Sequence, residues 1–305
     1  MSAVTTGVRA HPVAPRQPRR KPFRPSRAVL YAFLTVTALL WLAPILWALY
    51  TSLRPYSDTQ RHGYVSIAHK LGFGNYTQAW RQGDMARHFL DSLYITVPAV
   101  LLTLLLASFV AFTVSRFSFW FNIPLLIVFT AGNLLPQQVI ITPLYRLFLA
   151  IPLPGWLSDS ESLYDSFLGL ILINVAFQVG FCTFVLSNYM KTLPSELTEA
   201  ALVDGASVWR QYWQIVLPLC RPALAALATL EVTWIYNDFF WAIVLMSTGD
   251  KFPITSSLNN LRGEFFTDNN LVAAGSLLVA IPTLVVYFVL QRQFISGLTL
   301  GANKS

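Results

Sequence analysis

The stretch SLYITVPAVLLTLLLASFVAFTV, residues 92–114, decides the fold class. It runs for 23 residues without a charged side chain. A helix of about 20 apolar residues crosses the hydrocarbon core of a bilayer, so this stretch is predicted to be a transmembrane helix. Five other stretches have a similar length and composition. The six predicted spans are residues 28–50, 92–114, 119–141, 167–186, 223–246 and 271–294.

The composition of the whole chain supports an all-α membrane protein. Of its 305 residues, 55% are hydrophobic and only 11% are charged, whereas soluble domains carry roughly 25% charged residues. The two cysteines are too few for a disulfide framework. The third span is the weakest, because Pro136, Gln137, Gln138 and Pro143 interrupt its second half. Broken helices occur in membranes only where protein or a water-filled cavity satisfies the freed backbone groups.

Basic residues indicate the orientation of the six spans. Residues 1–27 contain seven Lys or Arg and no acidic residue. If this arm is cytoplasmic, six crossings place 13 Lys or Arg inside and 8 outside, as the positive-inside rule requires. We therefore expect a multi-pass protein of a prokaryotic plasma membrane with both termini in the cytoplasm. The expected parts are a disordered basic arm at 1–27, a permease domain at 28–294 and a cytoplasmic tail at 295–305.

Several function classes find no support in the sequence. There is no GxxxxGK[ST] phosphate loop, so the chain has no recognisable ATPase of its own. The four histidines lack metal-ligand spacing, and no nucleophile is paired with a base. We expect neither catalysis, nor a metal, nor a cofactor. The net charge of +7 comes mainly from the arm. We therefore expect the basic arm to contact membrane lipid rather than nucleic acid.

The loop at residues 187–222 is predicted to lie in the cytoplasm between the fourth and fifth spans. Its sequence from 191 to 222 is KTLPSELTEAALVDGASVWRQYWQIVLPLCRP. Gly205 can adopt positive φ at a helix C-terminus, and Ser207 is a good N-cap. Pro218 is expected to end the second helix. The prediction is therefore two short helices bent at Gly205.

The apolar side chains of this loop need a partner. Trp209, Tyr212 and Trp213 are among eight apolar residues that a small surface hairpin cannot bury by itself. Two partners remain open on this reasoning, namely the membrane domain of the same chain and a second protein.

The loop resembles the complete EAA loop of ABC importer permeases, with the family's spacing at each defining position. The resemblance implies that the loop is a coupling helix, which sits in a cleft of an ATP-binding subunit. In this interpretation ATP is bound only by that partner. The residues that carry the coupling role are then Glu199, Ala200, Ala201, Asp204, Gly205, Ile215, Leu217 and Pro218.

More of the chain is similar to the MalG-like branch of carbohydrate importers. The similar segments lie at 74–93, 135–145, 237–241 and 291–304, although Asp91 and Ser305 stand where the family commonly has Asn and Gly. The resemblance implies import of a sugar, such as a di- or oligosaccharide. It also implies three kinds of partner: a second, MalF-like permease subunit, a dimer of ATP-binding subunits and an extracytoplasmic sugar-binding protein.

Polar side chains within the spans indicate a substrate path, because they are costly in a bilayer unless they face the bundle interior. Glu231, Trp234, Asp238 and Trp241 follow 3, 4, 3 spacing and are predicted to share one face of the fifth helix. Amides and carboxylates suit sugar hydroxyls, but the same groups also join helix to helix. The candidate path residues are Asn133, Gln137, Asn174, Gln178, Trp234, Asn237 and Asp238.

Two alternatives to a sugar importer remain open on the sequence. The first is an ABC permease for a glycerol phosphodiester, a polyamine or a peptide. Arg292, near the cytoplasmic end of the sixth span, is the one Lys or Arg within the six spans, and this scarcity of cations weighs against a phosphate-bearing solute. The second is a secondary transporter or channel, against which the 187–222 loop argues.

Overall fold

The computed structural model describes residues 25–134, 136–263 and 266–299, without the side chains of 25, 26, 28, 133, 134, 290 and 292–299. The described residues form α-helices, short 3-10 turns and one π turn, joined by loops, with one isolated bridge between Pro152 and Ser162. The predicted all-α class is confirmed. Most of the predicted arm 1–27 and the end of the predicted tail 295–305 lie outside the described residues. The chain divides into two units, residues 1–47 and 48–305.

Among the described residues, four helices are long and apolar enough to cross a membrane, and two bent helix pairs raise this number to as many as six. The four are α1 (Pro25–Ser52), α4 (Met85–Arg116), α7 (Phe167–Met190) and α14 (Asn269–Thr299). Along the chain, two short helices, α2 (Tyr56–His62) and α3 (Gly74–Gln82), connect α1 to α4. A further one-turn helix, α13 (Ile254–Ser257), precedes α14.

The core of unit 48–305 lies where α4 packs along α7. Ala99, Ala107 and Ala111 on α4 are fully buried. Small residues at a helix interface let two backbones approach closely, which is the usual packing of membrane helices. Ser166 caps the start of α7, because its hydroxyl accepts a hydrogen bond of 3.0 Å from the Gly169 N–H.

The third predicted span is broken in the structure. It consists of α5 (Asn122–Leu134), a 3-10 turn (Gln137–Ile140) and α6 (Ile141–Ala150). The helices on either side of the break differ in direction by 91°. The interruption was predicted, but the helical segment continues to Ala150 rather than ending at 141. Pro136 has no N–H for the helical ladder, which accounts for the position of the break.

The prediction of one continuous fifth helix at 223–246 is wrong. α11 (Arg221–Tyr236) ends at Tyr236, and α12 (Phe240–Leu245) begins after a break of three residues. The Asn237 amide donates to the Thr233 carbonyl at 2.7 Å. The Asp238 carboxylate accepts a hydrogen bond from the Trp241 N–H at 3.2 Å. Asn and Asp side chains compete for backbone groups in this way and so interrupt helices.

The 187–222 loop forms the predicted pair of short helices. α8 (Glu196–Val203) and α9 (Val208–Gln211) meet at Gly205, whose φ is +74°. Two hydrogen bonds close α8, from Gly205 N to Leu202 O and from Ala206 N to Ala201 O, which is the Schellman pattern. Ser207 caps α9 by accepting from the Arg210 N–H.

After α9 the helical chain continues through a π turn (Tyr212–Val216) into α10 (Leu217–Leu219). The predicted end of the second helix at Pro218 is therefore one residue early. A proline in the first turn of a helix lacks only an N–H that the helix does not use, and Pro218 lies in the first turn of α10.

Candidate functional site

A cavity of about 460 Å³ lies between α7, the break in the third span and the break between α11 and α12. Its polar lining comes from three separate parts of the chain. Gln137 starts the 3-10 turn, Asn174 and Gln178 lie one turn apart on α7, and Asp238 lies between α11 and α12. The two helix breaks thus bring to one cavity side chains that are about 100 residues apart in sequence, namely Gln137 and Asp238.

Asp238 is held by hydrogen bonds at both carboxylate oxygens. One oxygen accepts from the Asn174 amide at 3.3 Å, and the other accepts from the Trp241 N–H at 3.2 Å. The Asn174 amide also donates to the Leu170 carbonyl of its own helix at 2.9 Å. Because Asn174 is buried, this network fixes the polar edge of the cavity. Among the residues that the structure describes, the lining contains one carboxylate and no Lys or Arg.

Four aromatic rings form the rest of the lining, in two pairs. Phe177 lies against Trp241 with ring centroids 5.3 Å apart, and Phe181 lies against Trp234 at 5.3 Å. Trp241 is buried, whereas Trp234 is exposed. The cavity therefore combines hydrogen-bonding groups with flat apolar faces, and this combination can hold a sugar ring by its hydroxyls and by its C–H face.

Five of the seven candidate path residues line this cavity: Gln137, Asn174, Gln178, Trp234 and Asp238. Asn237 does not, because its amide donates to Thr233 and to the Thr283 hydroxyl at 3.3 Å, towards α14. The side chain of Asn133 lies outside the described residues.

Phe177 and Phe181 were not singled out from the sequence. They follow Asn174 by three and seven residues, and this helical spacing is the signal that places them beside it. Glu231, predicted to share a face with Trp234 and Asp238, does not line the cavity. It is fully buried and accepts a hydrogen bond of 3.0 Å from the Cys182 thiol.

The 187–222 loop contains one set of apolar side chains that pack on the chain's own helices. Tyr212 and Val216 are buried in a cluster with Phe112 of α4. The Tyr212 hydroxyl lies 2.7 Å from the Ser108 hydroxyl of the same helix. Phe109 stacks on the Tyr212 ring at 4.8 Å. These contacts join the loop to α4.

A second set of side chains in the same loop is exposed. Leu202 and Val203 are 66% and 88% exposed at the C-terminal end of α8, and Trp209 is 61% exposed. Of the residues assigned to coupling by resemblance, Glu199, Ala200, Asp204 and Gly205 are exposed, Ala201 is buried, and Ile215, Leu217 and Pro218 are half-buried. Tyr212, Val216 and Cys220 therefore pack on the chain's own helices, whereas α8 presents an exposed apolar surface. An external partner for that surface stays a prediction.

The chain combines a helical fold, a lined cavity, and a 187–222 loop with one buried and one exposed set of apolar side chains. Together they are the features expected of a membrane transport subunit. Residues 103–297 match the family model described as binding-protein-dependent transport system inner membrane component. This chain belongs to that family, and the sequence-based identification is confirmed.

Similar proteins with assigned roles cover most of the chain. The osmoprotective compounds uptake permease protein GgtD of Synechocystis sp. is 33% identical over 94% of this chain and 95% of its own length. The diacetylchitobiose uptake system permease protein NgcG of Streptomyces coelicolor is 29% identical over 90% of this chain and 88% of its own. A solved bacterial ABC transporter involved in the import of the acidic polysaccharide alginate shares the fold. Its matching chain has a TM-score of 0.73 and 22% identity, over 90% of this chain and 100% of the solved one.

Proposed function

We propose that this chain is one permease subunit of an ABC importer that moves a neutral oligosaccharide into the cytoplasm. The observation that supports this most directly is the cavity, in which amides and a carboxylate face four aromatic rings. Ligand sites of this kind are mostly apolar, with a few placed polar groups that fix orientation. Relatives named for sugar uptake support the same substrate class.

The charge of the lining favours a neutral sugar over an acidic one. The solved importer with the same fold takes in alginate, an acidic polysaccharide. In this chain the charged group in the cavity lining is the Asp238 carboxylate, with no lysine or arginine around it. A negative charge in a low-dielectric path repels an anionic substrate, so uronic acids and phosphodiesters are disfavoured here.

We propose that the 187–222 loop contacts an ATP-binding subunit and moves when that subunit moves. Exposed Leu202 and Val203 would enter the cleft of that subunit, while buried Tyr212 fixes the loop to α4. Because α4 packs along α7, a push on the loop would move the helix that carries Asn174. ATP then shifts the equilibrium only if the ATPase contacts differ between two arrangements of the bundle, and rocking of bundles around a central site is a common transport solution.

The remaining parts of the assignment complete the proposal. The chain crosses a prokaryotic plasma membrane six times, with both termini in the cytoplasm, and pairs with a second, MalF-like permease. A dimer of ATP-binding subunits and an extracytoplasmic sugar-binding protein complete the importer. The chain itself carries no catalytic site in this proposal.

Uptake by the reconstituted importer tests the substrate class. The chain and its partner subunits are placed in proteoliposomes, and uptake of neutral oligosaccharides, uronic-acid oligosaccharides, a glycerol phosphodiester, a polyamine and a peptide is compared with and without ATP. ATP-dependent uptake of a neutral saccharide is expected. Exclusive uptake of one of the other solutes would refute the substrate, and uptake without an ATPase would refute the whole class.

Two single-cysteine positions test the docking surface and the orientation together. Val203→Cys and Ile67→Cys are matched, since the two side chains are 88% and 87% exposed and both native cysteines are buried. In native membranes a thiol cross-linker should join only position 203 to the ATP-binding subunit. A membrane-impermeant thiol reagent added outside intact cells should label only position 67. The opposite labelling would invert the topology.

A further inference from the structure

The segment after α1 brings one carboxylate and two imidazoles together. Asp58 and His62 lie four residues apart on α2, and this spacing puts them on one helix face. His69 follows seven residues later, and its ring stacks on that of His62 with centroids 4.1 Å apart and an interplanar angle of 23°. One ligand atom from each of the three lies within 4.8 Å of the others.

Arg54 orients the carboxylate of this cluster. The Arg54 Nε donates to Asp58 Oδ2 at 2.7 Å, and the His69 backbone N–H donates to the same oxygen at 3.4 Å. The hydrogen bond from Arg54 holds the pKa of Asp58 below its usual value, so the group is a carboxylate at neutral pH. The other oxygen, Oδ1, faces the two rings, at 3.3 Å from His62 Nδ1 and 3.8 Å from His69 Nδ1.

The 3.3 Å separation between Asp58 Oδ1 and His62 Nδ1 is close to the edge of a tetrahedral metal site, and the 3.8 Å separation between Asp58 Oδ1 and His69 Nδ1 is somewhat longer. Zinc binds imidazole nitrogen and carboxylate oxygen at about 2.0–2.2 Å, so two ligand atoms of a tetrahedral site lie about 3.4 Å apart. Imidazole and carboxylate together also suit other divalent first-row metals. The side chains of His62 and His69 are 40% and 63% exposed, so an ion can reach them from solvent.

We propose that Asp58, His62 and His69 bind one divalent transition-metal ion, Zn²⁺ being the best suited, with the fourth position open to water. Binding changes two contacts. His62 Nδ1 also lies 3.1 Å from the Asp58 carbonyl oxygen, and the stacked rings of His62 and His69 must tilt so that both nitrogen lone pairs point at one ion. The neighbouring Arg54 guanidinium opposes a second positive charge. The site therefore binds more weakly than a closed structural zinc site with thiolate ligands.

The four histidines lack metal-ligand spacing among themselves, so no metal site was expected from the sequence. The Asp58 to His62 spacing carried the missing signal, and the stacking of His69 on His62 depends on a non-helical segment whose path the sequence does not give.

Cobalt substitution tests this site without an activity assay. The full-length chain is purified in detergent with a histidine-free tag, and Co²⁺ is added while visible absorption is recorded. A tetrahedral spectrum with one equivalent of Co²⁺, lost on addition of Zn²⁺, is expected. His62→Ala and His69→Gln should each weaken Zn²⁺ binding by about tenfold or more, in line with the effect of losing groups that support a metal site.

His11→Ala is the matched control, because it removes a histidine elsewhere in the chain and should leave binding unchanged. The exposed position of His69 keeps the His69→Gln variant informative if His62→Ala fails to fold. The proposal is overturned if the wild type binds Zn²⁺ no more tightly than His69→Gln, or if His11→Ala abolishes binding.

Discussion

The side-chain amide of Asn174 donates a hydrogen bond of 3.3 Å to the carboxylate of Asp238, which lies 64 residues further along the chain. The bond joins the middle of α7 to the break between α11 and α12. It therefore ties two elements together at the edge of the cavity, and both partners belong to the lining.

Asn174→Leu should impair both stability and transport. The substitution leaves one oxygen of the Asp238 carboxylate without its protein donor. Because Asp238 is half-buried and lines the cavity, the cost should lie towards the lower end of the about 1–3 kcal/mol expected for an unsatisfied buried polar group. Uptake is expected to fall by about tenfold or more, and the thermal midpoint in detergent should also fall. Unchanged uptake with an unchanged midpoint would show that the bond has no role in either.

Gln137→Ala should reduce uptake, whereas Gln138→Ala should not. Both amides lie on the same 3-10 turn, but only Gln137 lines the cavity. A lost hydrogen bond to substrate is worth about 0.5–1.5 kcal/mol, which corresponds to a rise of a few-fold to tenfold in the substrate concentration that gives half-maximal uptake. Equal effects of the two variants would argue against direct contact with substrate.

Gly205→Val should disrupt coupling, and Gly205→Asn should preserve it. No atom lies within 4 Å of an added Cβ, so the cost is conformational and follows from φ +74°. A β-branched residue is strongly disfavoured at positive φ, by roughly 1–2 kcal/mol, whereas Asn tolerates it. Transport and substrate-stimulated ATP hydrolysis should be lost in the Val variant while membrane insertion stays normal. Normal uptake by this variant would refute the coupling role of the bend.

Tyr212→Phe and Ser108→Ala should show coupled effects on stability. The Ser108 hydroxyl also donates to the Leu105 carbonyl at 2.8 Å, so Tyr212 is the donor in the bond between the two hydroxyls. A double-mutant cycle on thermal unfolding should give an interaction of about 1 kcal/mol. Strict additivity of the two single variants would mean that this bond does not hold the 187–222 loop to α4.

Asp165→Asn should lower the stability of the folded protein at neutral pH, and should lower it less at acid pH. Burial raises the pKa of Asp165, but hydrogen bonds from Thr248 and Ser247 lower it by more than burial raises it. The net pKa of Asp165 therefore lies below its usual value. The stabilisation is therefore present above the unfolded-state pKa near 3.9 and is lost as pH falls through the lower folded-state pKa.

Asn is a suitable replacement because Asp165 has φ +55°, a conformation that Asn accepts. The difference in thermal midpoint between wild type and variant should be largest at pH 7 and should shrink towards pH 3. A difference that grows as the pH falls would contradict the assigned direction.

Local rules were enough to predict the 187–222 loop. Gly205 and Ser207 act through their own backbone and nearest turn, so their roles could be inferred from residue type and spacing. The break after Tyr236 was missed because the apolar pattern continues across it. The adjacent pair Asn237 and Asp238 was the available signal, since one amide closes α11 and one carboxylate opens α12.

Long-range pairs were predictable only in part. The polar residues of the cavity were found individually, because a polar side chain in an apolar span is conspicuous. Their pairing was not, since the hydrogen bond between Asn174 and Asp238 depends on how α7 lies against a broken helix. The cluster of Asp58 with His62 and His69 depends in the same way on the path of an irregular segment.

The attachment of Tyr212 to α4 limits how the 187–222 loop can be exchanged between permeases. Its aromatic ring is held by Phe109 and its hydroxyl by Ser108. A chimaera that receives only the loop would set a foreign ring against an unmatched helix surface. An exchange intended to redirect the permease to another ATPase would therefore have to carry residues 108–112 along with the loop.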